Sequence, residues 1–175
     1  VLVVPAGIVP APAALDLLGG QAEEEEVVLA GRLGHLDRRS VTSADGQGAV
    51  DVLTGLPHGT DHGGGRVVFG PDGKLYVSRG DQGSNFLANY CNRNRAQDLP
   101  TLAEVQAADW STYQGKILRL NLDGSIPRDN PVLNGVRSHI YSYGHRNPQG
   151  LVFAGRRLFD SEHGESIDDE VNLVV

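Results

Sequence analysis

The chain has no methionine at all, a single cysteine (Cys91), and only 6% Phe, Trp and Tyr. One cysteine excludes an internal disulfide, so cysteine usage leaves the redox compartment open. Its bland expectation is a small buried residue. A chain that starts at Val1 without any methionine reads as a fragment or a processed product. No GxGxxG, P-loop or GxSxG motif occurs, which argues against nucleotide binding and serine hydrolysis. CxxC and HExxH are missing too, leaving zinc poorly supported. Basic residues are outnumbered: 15 Lys and Arg against 22 Asp and Glu give a net charge of −7, a poor electrostatic match for nucleic acid. Long hydrophobic runs are scarce. Residues 1–18 are apolar, but Pro5, Pro10 and Pro12 interrupt them and no Lys or Arg precedes them. They make no membrane span, and at most a signal-peptide remnant ending at Ala11-Pro12-Ala13.

Glycine, by contrast, is abundant at 23 of 175 residues, as tight turns between short strands require. Hydrophobic and charged contents of 39% and 21% are globular, and the length suffices for a core. Residues 1–48 differ from the rest and read as a solvated or disordered lead-in. Within them, residues 23–36 suit a helix, with glutamates at the start and Arg38 and Arg39 near the end. From Val50 the pattern becomes β. Arg66-Val67-Val68-Phe69 and Lys74-Leu75-Tyr76-Val77-Ser78 form a hairpin around the turn Gly70-Pro71-Asp72-Gly73. Thr101-Leu102-Ala103-Glu104 is a capping box that opens a helix within a long excursion. Residues 116–121 alternate as a strand, and Asp123-Gly124 signals a hairpin. Residues 150–153, 157–161 and 170–174 then repeat the three-strand pattern. Repeated units of this kind build propellers, although two copies are only suggestive.

Three polar runs could carry chemistry. In Asp61-His62-Gly63-Gly64-Gly65 the histidine can take a proton at neutral pH. Asp81 lies at the far end of the same hairpin, close enough to orient the ring; the alternative is a turn histidine with a capping carboxylate. Gly144-His145-Arg146-Asn147-Pro148-Gln149-Gly150 sets a fork of donors beside an amide, or is a solvated loop. Residues 160–170 offer many oxygen ligands of the kind calcium prefers, or an acidic surface loop without metal.

These runs, in this order and over residues 50–175, resemble the quinoprotein glucose and aldose sugar dehydrogenases that use pyrroloquinoline quinone (PQQ). Gly80-Asp81-Gln82-Gly83, Gly115 to Pro127 and Ser161-Glu162-His163-Gly164 with Asp168-Asp169-Glu170 complete the likeness. The resemblance implies an all-β fold, a six-bladed β-propeller of which residues 49–175 cover part. It implies oxidation of an aldose at its C1 hydroxyl to the lactone, with hydride passing to the quinone and an external electron acceptor as a further partner. His62 would be the base, Asp81 its orienter, Arg146 the group on the quinone carbonyl, and Asn147 a cofactor ligand. Gly164 and Glu165 would hold the cofactor Ca2+ through backbone carbonyls, and Asp169 and Glu170 a second, structural Ca2+. A periplasmic or secreted location and a homodimeric parent enzyme follow by family.

The chain departs from the pattern in three ways. Glu165 stands where relatives often carry Pro, and Phe86 stands where some place a polar residue near the sugar. The family's first cofactor-contacting blade and its C-terminal basic residues are absent. Two other readings stay open: a non-catalytic propeller that binds calcium, sugar or a partner, and a degenerate gene product with a scrambled start.

Overall fold

The computed structural model describes residues 26–30, 39–44, 49–84 and 89–175, with side chains from Asp51 onward. Residues 1–18, the signal-remnant candidate, lie outside the described residues, as does Phe86. Among the described residues the architecture is antiparallel sheet, with one short helix. The first sheet runs β1 (Glu26–Ala30), β2 (Arg39–Ala44), β3 (Ala49–Leu56) in sequence order. The expected helix over residues 23–36 is therefore corrected where it is described. Val27-Val28-Leu29 favours extended backbone, and pairing of Glu26 to Ala30 with β2 outweighs the helical charge pattern.

A four-stranded sheet follows: β4 (Gly64–Phe69), β5 (Leu75–Arg79), β6 (Lys116–Leu120) and β9 (Ile140–Tyr143). The Gly70-to-Gly73 turn closes the expected β4–β5 hairpin, with Gly73 N donating to Gly70 O at 3.0 Å. Helix α1 (Leu102–Gln106) sits in the excursion between β5 and β6 and carries the predicted reciprocal cap between Thr101 and Glu104. Cys91, in the same excursion, is exposed rather than buried. Asp123-Gly124 does form a turn, in which Gly124 N donates to Asn121 O. The partner strand of β6, however, is β9, reached after a small hairpin of β7 (Val132–Leu133) and β8 (Val136–Arg137). A third sheet, β10 (Pro148–Ala154), β11 (Arg157–Glu162) and β12 (Glu170–Val174), realises the repeat.

The middle sheet is buried on both faces. Leu75 and Val77 of β5 join Leu118 and Leu120 of β6 in a core completed by Leu53, Leu56, Trp110 and Tyr113. On the other face Tyr76 and Ile117 meet Leu151, Leu158 and Val174 of the third sheet. Tyr76 packs edge-on against Tyr141 and Phe153, with ring centroids 5.3 and 5.0 Å away. Every residue of β5 and β6 is buried for this reason, Lys116 included. Its Nζ donates to the carbonyls of Arg95, Ala96 and Gln114 at 3.0, 2.9 and 2.6 Å, which ties the excursion to the sheet. Burial lowers its pKa to about 8.

Candidate active site

Four chain segments meet at one end of the middle sheet through their main chains. Asp81 N donates to Arg146 O at 2.8 Å, Gln82 N to His62 O at 3.4 Å, and Gly115 N to Gly80 O at 2.9 Å. Gly144 N and His145 N both donate to Gly115 O at 3.1 Å. Gly80 is required at the crossing. A Cβ there would lie 1.9 Å from His62 O and 3.1 Å from Arg146 O, and both are backbone atoms.

This convergence brings four of the expected residues to one open cavity of about 290 Å³, lined by His62, Asp81, Arg146 and Glu165 with Asn94 and His145. His62 and Asp81 are 7% and 3% exposed, so their contact is shielded from water. His62 Nδ1 lies 2.7 Å from Asp81 Oδ1. The same oxygen accepts Gly83 N at 2.9 Å, and Asp81 Oδ2 accepts Asn94 Nδ2 at 3.1 Å. A carboxylate so surrounded by donors assigns the proton to Nδ1, which leaves the Nε2 lone pair of His62 as the basic one.

Arg146 lines the same cavity from the β9–β10 loop. Its Nη1 donates to the carbonyls of His163 and Gly164 at 2.7 and 2.9 Å. Its backbone N donates to Glu162 Oε2 at 2.7 Å. Asn147 is 6% exposed, and its Oδ1 has no hydrogen-bond partner among the described protein groups. It borders a second cavity that also reaches His62. An orphaned buried acceptor on a cavity shared with His62 is what a polar ligand would satisfy.

The oxygen-rich loop is divided in its contacts. Gly164 O accepts from both Arg146 and His163 Nδ1, the latter at 2.8 Å. Gly164 N donates to Asp169 Oδ1 at 2.9 Å. Glu170, at the head of β12, accepts Asn172 Nδ2 at 3.2 Å. Asp169 and Glu170 are exposed, and the structure gives them separate partners. Among the described residues, the one cluster of three potential metal-ligating side chains is elsewhere, at His145, Asp160 and Glu162. His145 Nδ1 is 3.0 Å from Asp160 Oδ2 and closer still to Glu162 Oε1. Burial opposes a charge on this ring, but its hydrogen bonds to Asp160 and Glu162 prevail and raise its pKa to about 9. The cluster is therefore an imidazolium shared between two carboxylates.

Sequence reasoning assigned no role to Asn94, His145 or Glu162. His145 and Glu162 stand inside runs already marked as polar. Asn94 lies 13 residues from the carboxylate it serves, with no local signal.

The glucose/sorbosone dehydrogenase family profile matches residues 21–175. Quinoprotein glucose dehydrogenase B of Acinetobacter calcoaceticus is 58% identical over 127 residues, which are 72% of this chain and 27% of that protein. An aldose sugar dehydrogenase of Escherichia coli is 38% identical over 117 residues, 65% of this chain and 26% of the relative. The chain thus spans about a quarter of the length of these curated relatives. Among solved structures, the PQQ-bound form of an aldose sugar dehydrogenase from Streptomyces coelicolor superposes with a TM-score of 0.59 at 34% identity, over 78% of this chain and 37% of that one. The sheets described above are thus part of a β-propeller, and the chain belongs to the glucose/sorbosone dehydrogenase family.

Proposed function

We propose that this chain supplies the base-bearing wall of a PQQ-dependent aldose dehydrogenase that oxidises the C1 hydroxyl of a pyranose to the lactone. The observation that carries the reading is the buried His62–Asp81 pair facing a cavity shared with Arg146. The residues fit the cofactor's polar chemistry. Arg146 offers a cation for a quinone oxygen, and the orphaned Asn147 Oδ1 offers an acceptor for a donor on the ligand. PQQ, when bound, supplies the two-electron acceptor for hydride.

The rest falls to the protein. His62 Nε2 takes the hydroxyl proton as the C1–H bond breaks. Asp81 holds the ring in that tautomer and stabilises the imidazolium that forms. Arg146 stabilises negative charge developing opposite the base. Calcium fits as an oxygen-ligand ion at the Gly164 and Glu165 carbonyls. Gly164 O now accepts from Arg146, so cation binding would shift the guanidinium off that carbonyl. Asp169 and Glu170 are proposed for a second calcium. Residues 49–175 are taken as the partial propeller and residues 1–48 as its lead-in. A periplasmic or exported location, an external electron acceptor and a homodimer are carried over with the family.

The test is titration of the purified chain with PQQ and Ca2+, read by cofactor absorbance and thermal shift. Saturable, calcium-dependent binding that His62→Ala and Arg146→Ala weaken is expected. Turnover is expected only in a protein that carries the complete propeller, since this chain spans 27% of the relative's length. His62→Ala without effect on turnover there would leave the non-catalytic propeller as the better reading.

A further inference from the structure

The loop that carries Arg146 and Asn147 has a hydrogen-bonding problem that the strand ladder does not solve. β10 pairs with β11 only from Pro148 onward, opposite Glu162, and the register slips between Pro148 and Gly150. The amides of Arg146 and Asn147 therefore precede the ladder, and amides left unpaired in a partly buried loop are costly. Glu162, the last residue of β11, resolves this with its side chain. Oε2 accepts Arg146 N at 2.7 Å and Asn147 N at 3.3 Å. Oε1 meets His145 Nδ1, and His145 Nε2 in turn contacts Ser142 Oγ at 2.9 Å. The chain then doubles back, with His163 N donating to Asn147 O at 3.2 Å.

We propose that Glu162 is a positioning residue: its carboxylate fixes the Arg146–Asn147 backbone from the neighbouring strand, with the His145 ring seated against its other oxygen. Ligand-facing side chains on consecutive loop residues can then be preorganised without a strand of their own. The inference rests on the reading of Arg146 and Asn147 as cofactor-holding residues, but the clamp itself is independent of any ligand. Asp160 is the internal control. It lies 3.0 Å from His145 Nδ1, and its carboxylate makes no hydrogen bond to the amides of residues 146 and 147. If Glu162 merely neutralised His145, Glu162 and Asp160 would be interchangeable.

Amide hydrogen exchange by NMR on the 175-residue chain and its Glu162→Ala, Glu162→Gln and Asp160→Asn variants separates the two roles. Glu162→Ala is expected to speed exchange at Arg146 and Asn147 by roughly tenfold or more, the loss expected for bonds to a charged acceptor. Glu162→Gln keeps an oxygen for the amides and should preserve most of the protection. Asp160→Asn should leave both amides as in the wild type. Unchanged amides in Glu162→Ala, or Asp160→Asn matching Glu162→Ala, overturns the proposal. Should Glu162→Ala not fold, Glu162→Asp keeps the charge but withdraws it by one methylene, and the same two amides should lose protection. A second arm measures PQQ affinity with Ca2+. Glu162→Ala should weaken it about tenfold while Asp160→Asn does not. A wild-type chain that binds no PQQ would count against the functional reading, while amide exchange would still decide the clamp.

Discussion

The two walls of the cavity are held in place by different physics. On one, His62 and Asp81 are set by crossing backbones, one glycine and the neutral amide of Asn94. On the other, Arg146 and Asn147 hang from a buried ionic cluster in which one imidazolium serves two carboxylates. The supports named on the first wall are main-chain bonds and a neutral amide, which carry no charge for salt to screen. The second is strong only while its charges balance, since a buried ion that loses its partner is destabilising. Under the proposed function, His62 as base must keep one orientation through every turnover. A residue that greets a charged ligand can tolerate a support that responds to its surroundings.

The largest expected effect comes from Gly80→Ala, which removes the crossing itself. A methyl 1.9 Å from His62 O cannot be accommodated by side-chain motion. We expect a loss of ~3 kcal/mol or more in chemical denaturation, with both walls displaced together. Retention of wild-type stability would show that the walls are independent. Next, Asp81→Asn should leave the fold intact but set the wrong His62 tautomer. In a protein with the complete propeller, kcat should fall roughly a thousandfold with little change in KM.

Third, the ionic wall should register pH. The folded His145 pKa of about 9 lies above the ordinary 6.5, so its stabilisation is fully present below pH 6.5 and disappears as pH rises through 9. The swing is at most ~3 kcal/mol. Lys116 works in the opposite sense, because its folded pKa of about 8 is depressed and its burial penalty is relieved only above that pH. Above pH ~7 the buried His139, whose pKa is depressed, is largely neutral in both states, and below 8 Lys116 is charged in both, so urea unfolding in that interval follows His145. Asp160→Asn should flatten the slope there, and a slope unchanged by it would remove Asp160 from the cluster's energetics. The smallest effect is reserved for Asn94→Ala, about 1 kcal/mol of stability for one amide–carboxylate hydrogen bond. Its mark is a broadened His62 imidazole resonance in NMR.

What could be read from the sequence was what short-range geometry decides. The β4–β5 hairpin was legible because Gly70-Pro71-Asp72-Gly73 admits few other conformations, and His62 beside Asp81 follows from that hairpin. The Thr101–Glu104 cap was legible because both partners lie within one turn. The strand at Glu26–Ala30 was not, since its stability comes from β2 and its charges point to a helix. Lys116 read as one position of an alternating strand. Only the excursion folded over it reveals three carbonyls waiting for its ammonium. Glu162 stood in plain view within an acidic run, but its task is set by amides 15 and 16 residues upstream. Whether an acid is a ligand, a clamp or a solvated surface group is decided across strands, where residue order is silent.

The crossing at Gly80 also bears on how this site can diversify. The relative placement of the His62 and Arg146 backbones is written in main-chain bonds among residues 62, 80–82, 115 and 144–146. Among the described residues, the excursion between β5 and β6 borders the same cavity and is tied to that frame by side-chain bonds from Asn94 to Asp81 and from Asn89 to Gln82 O, and by Gly144 N donating to Ala96 O. Exposed excursion positions outside those ties, and outside the core residues Trp110 and Tyr113, can therefore change the rim of the cavity while the main chain keeps His62 and Arg146 in place.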